Sequence, residues 1–127
     1  QLMSVTEITG KKSITNYKTL KVFNIKDIPK ISFLECELET GRTHQIRVHM
    51  AYKGNSLLGD QQYGKKNLRF KKINEDFENK LKILNRQALH AKSLGFIHPT
   101  SSKLISFESK LPRDFKKILD LLNKLSH

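Results

Sequence analysis

The sequence predicts an α+β fold, a mainly antiparallel sheet with flanking helices, and three observations predict it. Apolar Leu34, Cys36 and Leu38 alternate with Glu35, Glu37 and Glu39, the period-2 pattern of a strand with one face buried and one wet. Residues 88–97 and 103–108 read as two strands around the turn-forming Pro99-Thr100-Ser101-Ser102, and so as a hairpin. Near the C-terminus Phe115, Ile118, Leu119, Leu122 and Leu125 form one apolar stripe opposite Lys116, Lys117 and Lys124, the 3.6-residue period of a helix lying on a sheet.

The other elements follow in chain order. Residues 12–24 set Ile14, Tyr17, Leu20, Val22 and Phe23 among threonines and lysines, which suits a strand or hairpin arm better than a helix. Residues 25–30 turn, with Pro29 near their end, and the strand of residues 31–40 follows. Cys36 lies on its apolar face and is expected as a core thiol. Gly41 accommodates a sharp turn, and Thr43 is expected to cap a helix reaching about Lys53, closed by Gly54-Asn55. Residues 57–64 read as a tight connection in which Asp60 supplies a local cap or turn bond, a structural role favoured over a catalytic one. Residues 65–72 carry the densest basic run. From Ile73, the spacing of Phe77, Leu81 and Leu84 behind Glu75, Asp76 and Glu78 predicts an inserted amphipathic helix over 73–85. Pro112 opens the last helix.

Composition narrows the function. At 127 residues the chain supports one core, whole or in part. A formal charge of +12 favours a polyanionic partner, since each neutralised phosphate releases counterions, and RNA leads. Much of that charge is scattered lysine, so the total alone does not decide. One cysteine excludes an internal disulfide. The five histidines have no pair at i,i+4 and no cysteine partner, so neither a metal nor any other cofactor is expected. With no apolar run of membrane-spanning length and no signal-like N-terminus, a cytoplasmic protein without membrane contact is expected.

The polar string Gly41-Arg42-Thr43-His44-Gln45-Ile46-Arg47-Val48-His49 sits where the strand hands over to the helix. Free N–H groups of a helix start beside Arg42 and Arg47 suit a phosphate or carboxylate, while ion pairing with the preceding glutamates is the plainer alternative. Together with Thr40, Gly54, Leu58-Gly59-Asp60, Tyr63-Gly64, Arg86-Gln87-Ala88-Leu89-His90-Ala91, Leu94, Phe96, His98-Pro99 and Leu111-Pro112, all in order, this string resembles the RluA-type RNA pseudouridine synthases. Met3 and residues 12–17 resemble the strand before the motif, although Ile14-Thr15-Asn16 stands where the family usually has Ala-x-Thr. The resemblance implies a mixed, mainly antiparallel sheet belonging to a pseudouridine synthase catalytic domain.

The family's catalytic aspartate lies in an upstream Arg-Leu-Asp motif, followed by a tyrosine that stacks on the target base. Asp27, Asp60, Asp76, Asp114 and Asp120 are not in that context, and the chain starts at Gln1. Residues 1–127 are therefore expected to be the C-terminal part of a single catalytic domain, inactive without the half that holds the nucleophile.

The resemblance implies isomerisation of uridine to pseudouridine, with ribosomal RNA as first expected substrate and transfer RNA as second. It assigns Arg47 as the salt-bridge partner of the missing aspartate, since an arginine can both keep a carboxylate ionised and orient it. Arg42, His44 and Gln45 either contact RNA or pack the helix start. Leu89 offers an apolar wall for the base, and His90 lines the same pocket or is buried and hydrogen-bonded; His98 belongs to a turn. Lys65, Lys66, Arg69, Lys71 and Lys72 are candidates for the RNA backbone or a solvated loop. A non-catalytic RNA-binding module is the main competing function, and a nuclease using His44, His49 or His90 is another. An uncovered sheet edge is expected to promote self-association.

Overall fold

The computed structural model describes residues 2–8, 10–64 and 74–126. Among these residues five strands and three helices follow in the order β1 (Leu2–Ile8), β2 (Lys11–Phe23), β3 (Ile31–Leu38), α1 (Gln45–Tyr52), α2 (Glu75–Leu84), β4 (Ser93–Ile97), β5 (Leu104–Glu108) and α3 (Arg113–Leu125). The fold is α+β. The first three strands form one antiparallel sheet with β2 in the middle, and β4 and β5 form a separate antiparallel hairpin.

The central strand β2 serves two layers. Before residue 20 it pairs Thr15 with Leu38, Tyr17 with Cys36 and Thr19 with Leu34; after it, Lys21 pairs with Phe33 and Phe23 with Ile31. Leu20 is the extra residue of a bulge. Opposed residues share a face and neighbours alternate, so the bulge puts Phe23 on the opposite face from Tyr17. Helix α1 lies on the Thr15 and Tyr17 face, where Ser13, Thr15, Tyr17, His49 and Met50 are buried. On the other face Phe23 joins Ile28, Phe77, Leu84, Ile118, Leu121 and Leu122 in the main core, with Ile31 and Phe33 packed against it.

This arrangement corrects the expected polarity of β3. Leu34 and Cys36 are only half-buried and Leu38 is 46% exposed, because α1 stands over β1 and β2. The anchors to the core are Ile31 and Phe33, whose ring meets Phe115 at 6.3 Å. Cys36 is thus not a core thiol, although burial, followed by the neighbouring Glu35 charge, still raises its pKa.

Helix α2 occurs where the apolar spacing places it, but it is integral to the core: Phe77 is fully buried. Asn74 opens the helix by accepting the Phe77 N–H at 2.9 Å. Helix α3 buries Phe115, Ile118, Leu121 and Leu122. The hairpin is shorter than expected, since residues 89–92 carry no regular structure before Ser93. Its turn is held by Nδ1 of His98, which accepts the N–H groups of Thr100 and Ser101. No described helix is long and apolar enough to cross a membrane.

Candidate active site

The loop from β3 into α1 is fastened by Gln45. Its Nε2 donates to the Ile14 carbonyl and to Oγ1 of Thr15, both at 2.9 Å, while Oε1 accepts the Thr40 hydroxyl at 2.7 Å and the Arg42 N–H at 3.0 Å. Thr40 in turn accepts the Ile14 N–H. A side chain that ties one turn to the central strand at four points is scaffold, and Gln45 is only 3% exposed. Thr43 does not cap the helix. The preceding position is His44, in a left-handed conformation (φ 51°) and with no side-chain cap bond, because Gln45 already holds the turn.

The helix then closes as expected. Gly54, at φ 84°, donates to the Ala51 carbonyl and Asn55 to that of Met50, the paired bonds of a Schellman ending. On the inner side, Nδ1 of buried His49 lies 2.8 Å from Oγ1 of Thr15, and burial lowers the His49 pKa. Its Nε2 is buried without a partner among the described residues.

Arg47 projects from α1 to Asp60. Nε reaches Oδ2 at 3.0 Å and Nη2 reaches Oδ1 at 2.9 Å, a bidentate pair, while Nη2 also lies 3.4 Å from Oε1 of Gln62. The Asp60 side chain is fully buried and that of Arg47 is 12% exposed. Asp60 Oδ1 also accepts the N–H groups of Gln62 and Tyr63, at 3.1 and 3.0 Å, so the carboxylate makes its expected turn bonds as well. These contacts hold the Asp60 pKa at about 2, with Arg47 the largest cause, against the upward push of burial. Asp60 in turn raises the Arg47 pKa.

Tyr63 completes the cluster. Its ring is 5.0 Å from the guanidinium carbon of Arg47, and its hydroxyl is 3.1 Å from Nδ1 of His44. The turn beneath needs its glycines: a side chain at Gly59 would collide with the Arg86 carbonyl, and one at Gly64 with the Asp60 carbonyl. The result is a cation fixed in orientation at a nearly dry site, suited to orienting and stabilising an anionic group.

The expected site residues separate. Arg47 and His44 meet through Tyr63, a residue of the Tyr63-Gly64 motif to which the sequence alone attaches no role. The Asx-type turn is the usable signal, since an Asp three residues before a Tyr can bring that ring back over the loop. Arg42 leads elsewhere: Nη2 lies 3.4 Å from the Lys12 carbonyl, and Nε is buried without a partner among the described residues. The two arginines therefore do not share one anion at the helix start. Nε2 of His90 bonds the Ser109 carbonyl at 3.1 Å. No hydrogen bond, ion pair or ring contact joins Leu89 or His90 to the Arg47 cluster among the described residues. Lys65, Lys66, Arg69, Lys71 and Lys72 lie outside the described residues. Among those described, no group of three or more His, Cys, Asp or Glu gathers as a metal site.

Comparison with known proteins gives one consistent result. Residues 1–52 match the RNA pseudouridylate synthase family. A protein of Zymomonas mobilis named ribosomal large subunit pseudouridine synthase D is 43% identical over 118 residues, 93% of this chain and 34% of that protein. Its namesake in Buchnera aphidicola (strain Sg) is 43% identical over 126 residues, 98% of this chain and 38% of that protein. An uncharacterized RNA pseudouridine synthase of Bacillus subtilis is 43% identical over 124 residues, 98% of this chain and 35% of that protein. The chain spans about a third of the length of these curated relatives.

Proposed function

We propose, for a chain that belongs to the RluA-type RNA pseudouridine synthases, that the protein containing it isomerises uridine to pseudouridine in ribosomal RNA and that Arg47 serves the reacting carboxylate. The observation that carries this reading is the 43% identity across nearly the whole chain to a named ribosomal enzyme. The reaction breaks the bond from N1 to C1′ of the nucleoside and forms one from C5 to C1′. The proton leaves C5 and N1 regains one, so no electron donor or acceptor is involved. The protein must extrude the base, hold its phosphates and keep a carboxylate ionised in a partly dry pocket. Arg47 suits the last task. Its bonds to Asp60 and Gln62 use three of the five N–H groups of an arginine, and those of Nη1 lie outside them.

Transfer RNA is the second substrate this reading admits, and a cytoplasmic location fits both. Scattered lysines and the basic run at residues 65–72 supply non-specific phosphate affinity. Self-association of the isolated chain belongs to the same reading. The β4–β5 hairpin leaves Leu94, Ile97, Leu104 and Phe107 more than half exposed, and a two-stranded hairpin has little stability alone. Light scattering over a concentration series is expected to show growth in mass; a compact monomer at every concentration removes this part.

The test is tritium release from RNA labelled at C5 of uridine, because only loss of the C5 hydrogen frees the label. The full-length product of the gene is expected to release it from unmodified ribosomal RNA, and residues 1–127 alone are not. Salt-sensitive RNA binding by the full-length product without release would favour the non-catalytic RNA-binding module.

A further inference from the structure

Tyr63 touches two members of the cluster at once. Its ring stands over Arg47 at 5.0 Å, its hydroxyl lies 3.1 Å from Nδ1 of His44, and the His44 and Tyr63 rings meet edge-on at 5.8 Å. Tyr63 is also fixed from behind. Its N–H is bound by Asp60, and the next residue, Gly64, closes onto the Asp60 carbonyl at 3.0 Å, where no side chain fits. The carboxylate that grips Arg47 therefore also sets the position of the ring above it.

His44 has a second mark of constraint. It is a non-glycine residue at φ 51° before the first turn of α1, it makes no cap bond, and it is exposed. Such backbone is unfavourable for most residues and persists where surrounding contacts hold it. Among the described residues the imidazole contacts Tyr63, which engages Nδ1 and leaves Nε2 outside that bond.

We propose that Tyr63 is a positioning residue of the pseudouridine synthase reaction. It clamps the Arg47 guanidinium against Asp60 and orients the His44 ring from the same point, so that cation and imidazole face the substrate as one rigid unit. The inference rests on the reading given above and extends it to a residue without a previous role. A ring over a guanidinium restricts its tilt, and the bidentate carboxylate restricts its rotation in the plane. Small displacements of such a group are expected to affect the chemical step more than substrate binding.

The experiment measures tritium release by the full-length gene product and by two variants. Tyr63→Phe keeps the ring over Arg47 and loses the bond to His44; it is expected to melt like wild type and to lower kcat by about 3- to 10-fold, at near-constant KM. Tyr63→Leu loses both contacts and is expected to lower kcat by up to about 100-fold. Its acid limb of kcat should also move to higher pH, because a displaced Arg47 no longer holds down the pKa of the reacting carboxylate. A merely structural tyrosine would lower the active fraction and leave that limb in place. Wild-type kcat in both variants, or a loss with no movement of the limb in a folded Tyr63→Leu, overturns the positioning role. If Tyr63→Leu does not fold, unchanged kcat in Tyr63→Phe overturns it. A folded wild type that releases no tritium overturns the underlying reading instead.

Discussion

Among the described residues, two arginines each grip an aspartate through two guanidinium nitrogens, yet the pairs sit in different media. Arg47 and Asp60 leave 12% and none of their side-chain surfaces exposed; Arg86 and Asp114 leave 39% and 32%. Both pairs are bidentate, Arg47 meeting its carboxylate side-on through Nε and Nη2 and Arg86 end-on through Nη1 and Nη2, at 2.6 and 3.1 Å; Arg86 also bonds the Leu84 carbonyl. What differs is the cost of losing a partner. Water and salt can take over for either member of the outer pair, so it works as a clasp between the end of α2 and the start of α3. The inner pair has no such substitute, and each charge is tolerable only while the other is present.

The sharpest way to break this contrast is to remove one buried partner. Asp60→Asn is expected to cost about 3–5 kcal/mol in urea unfolding, because it leaves the Arg47 charge poorly compensated. Replacing both members, as Arg47→Met with Asp60→Leu, should recover most of that stability while turnover by the full-length product stays abolished. Recovery of turnover along with stability would reduce Arg47 to a packing residue.

Next in size is the effect on turnover. Arg47→Ala should lower kcat by about 10²- to 10³-fold, beyond its effect on RNA binding, since other cations share the phosphates. Arg47→Lys should rescue poorly, lacking the fork. Equal losses of binding and turnover would place Arg47 among the phosphate contacts.

Acid separates the pairs more gently. The Asp60 pKa is depressed to about 2 from an ordinary 3.8. Its contribution is therefore fully present above pH ~4 and is lost as pH falls through about 2, a change of roughly 2 kcal/mol. Urea midpoints taken between pH 5 and 2 should show it and should lose this dependence in the doubly apolar variant. The smallest effect belongs to Arg86→Ala, which should shift the urea midpoint far less than Asp60→Asn, and less still in 0.5 M salt, on the order of the ionic strength that screens surface pairs.

How far the sequence reveals this depends on the range of the interaction. Helix α2, helix α3, the Gly54-Asn55 closure and the His98 turn are local, set by periodicity or by one residue's conformational latitude, and each was legible. Two features depend on distant contacts and were not. The buried side of β3 depends on where α1 comes to rest, so the alternation of Leu34, Cys36 and Leu38 pointed to a burial that the helix does not supply. Within the site, Arg47 and Asp60 were both legible as residues, one as a cation for a carboxylate and the other as a turn former. Their pairing was not, because each had a sufficient local explanation, and no periodicity links a helix side chain to a loop 13 positions away.

The bulge at residue 20 makes the length of one strand a heritable constraint. The half-exposed side chain of Leu20 adds little to either layer, so many amino acids should be accepted at that codon. Its deletion is another matter. Without the extra residue, Lys21 and Phe23 would both turn to the opposite face, leaving Val22 toward the α2–α3 core and presenting a phenylalanine to the α1 side. In a scan of single-codon substitutions and deletions along β2, position 20 should thus combine high tolerance of replacement with marked intolerance of loss.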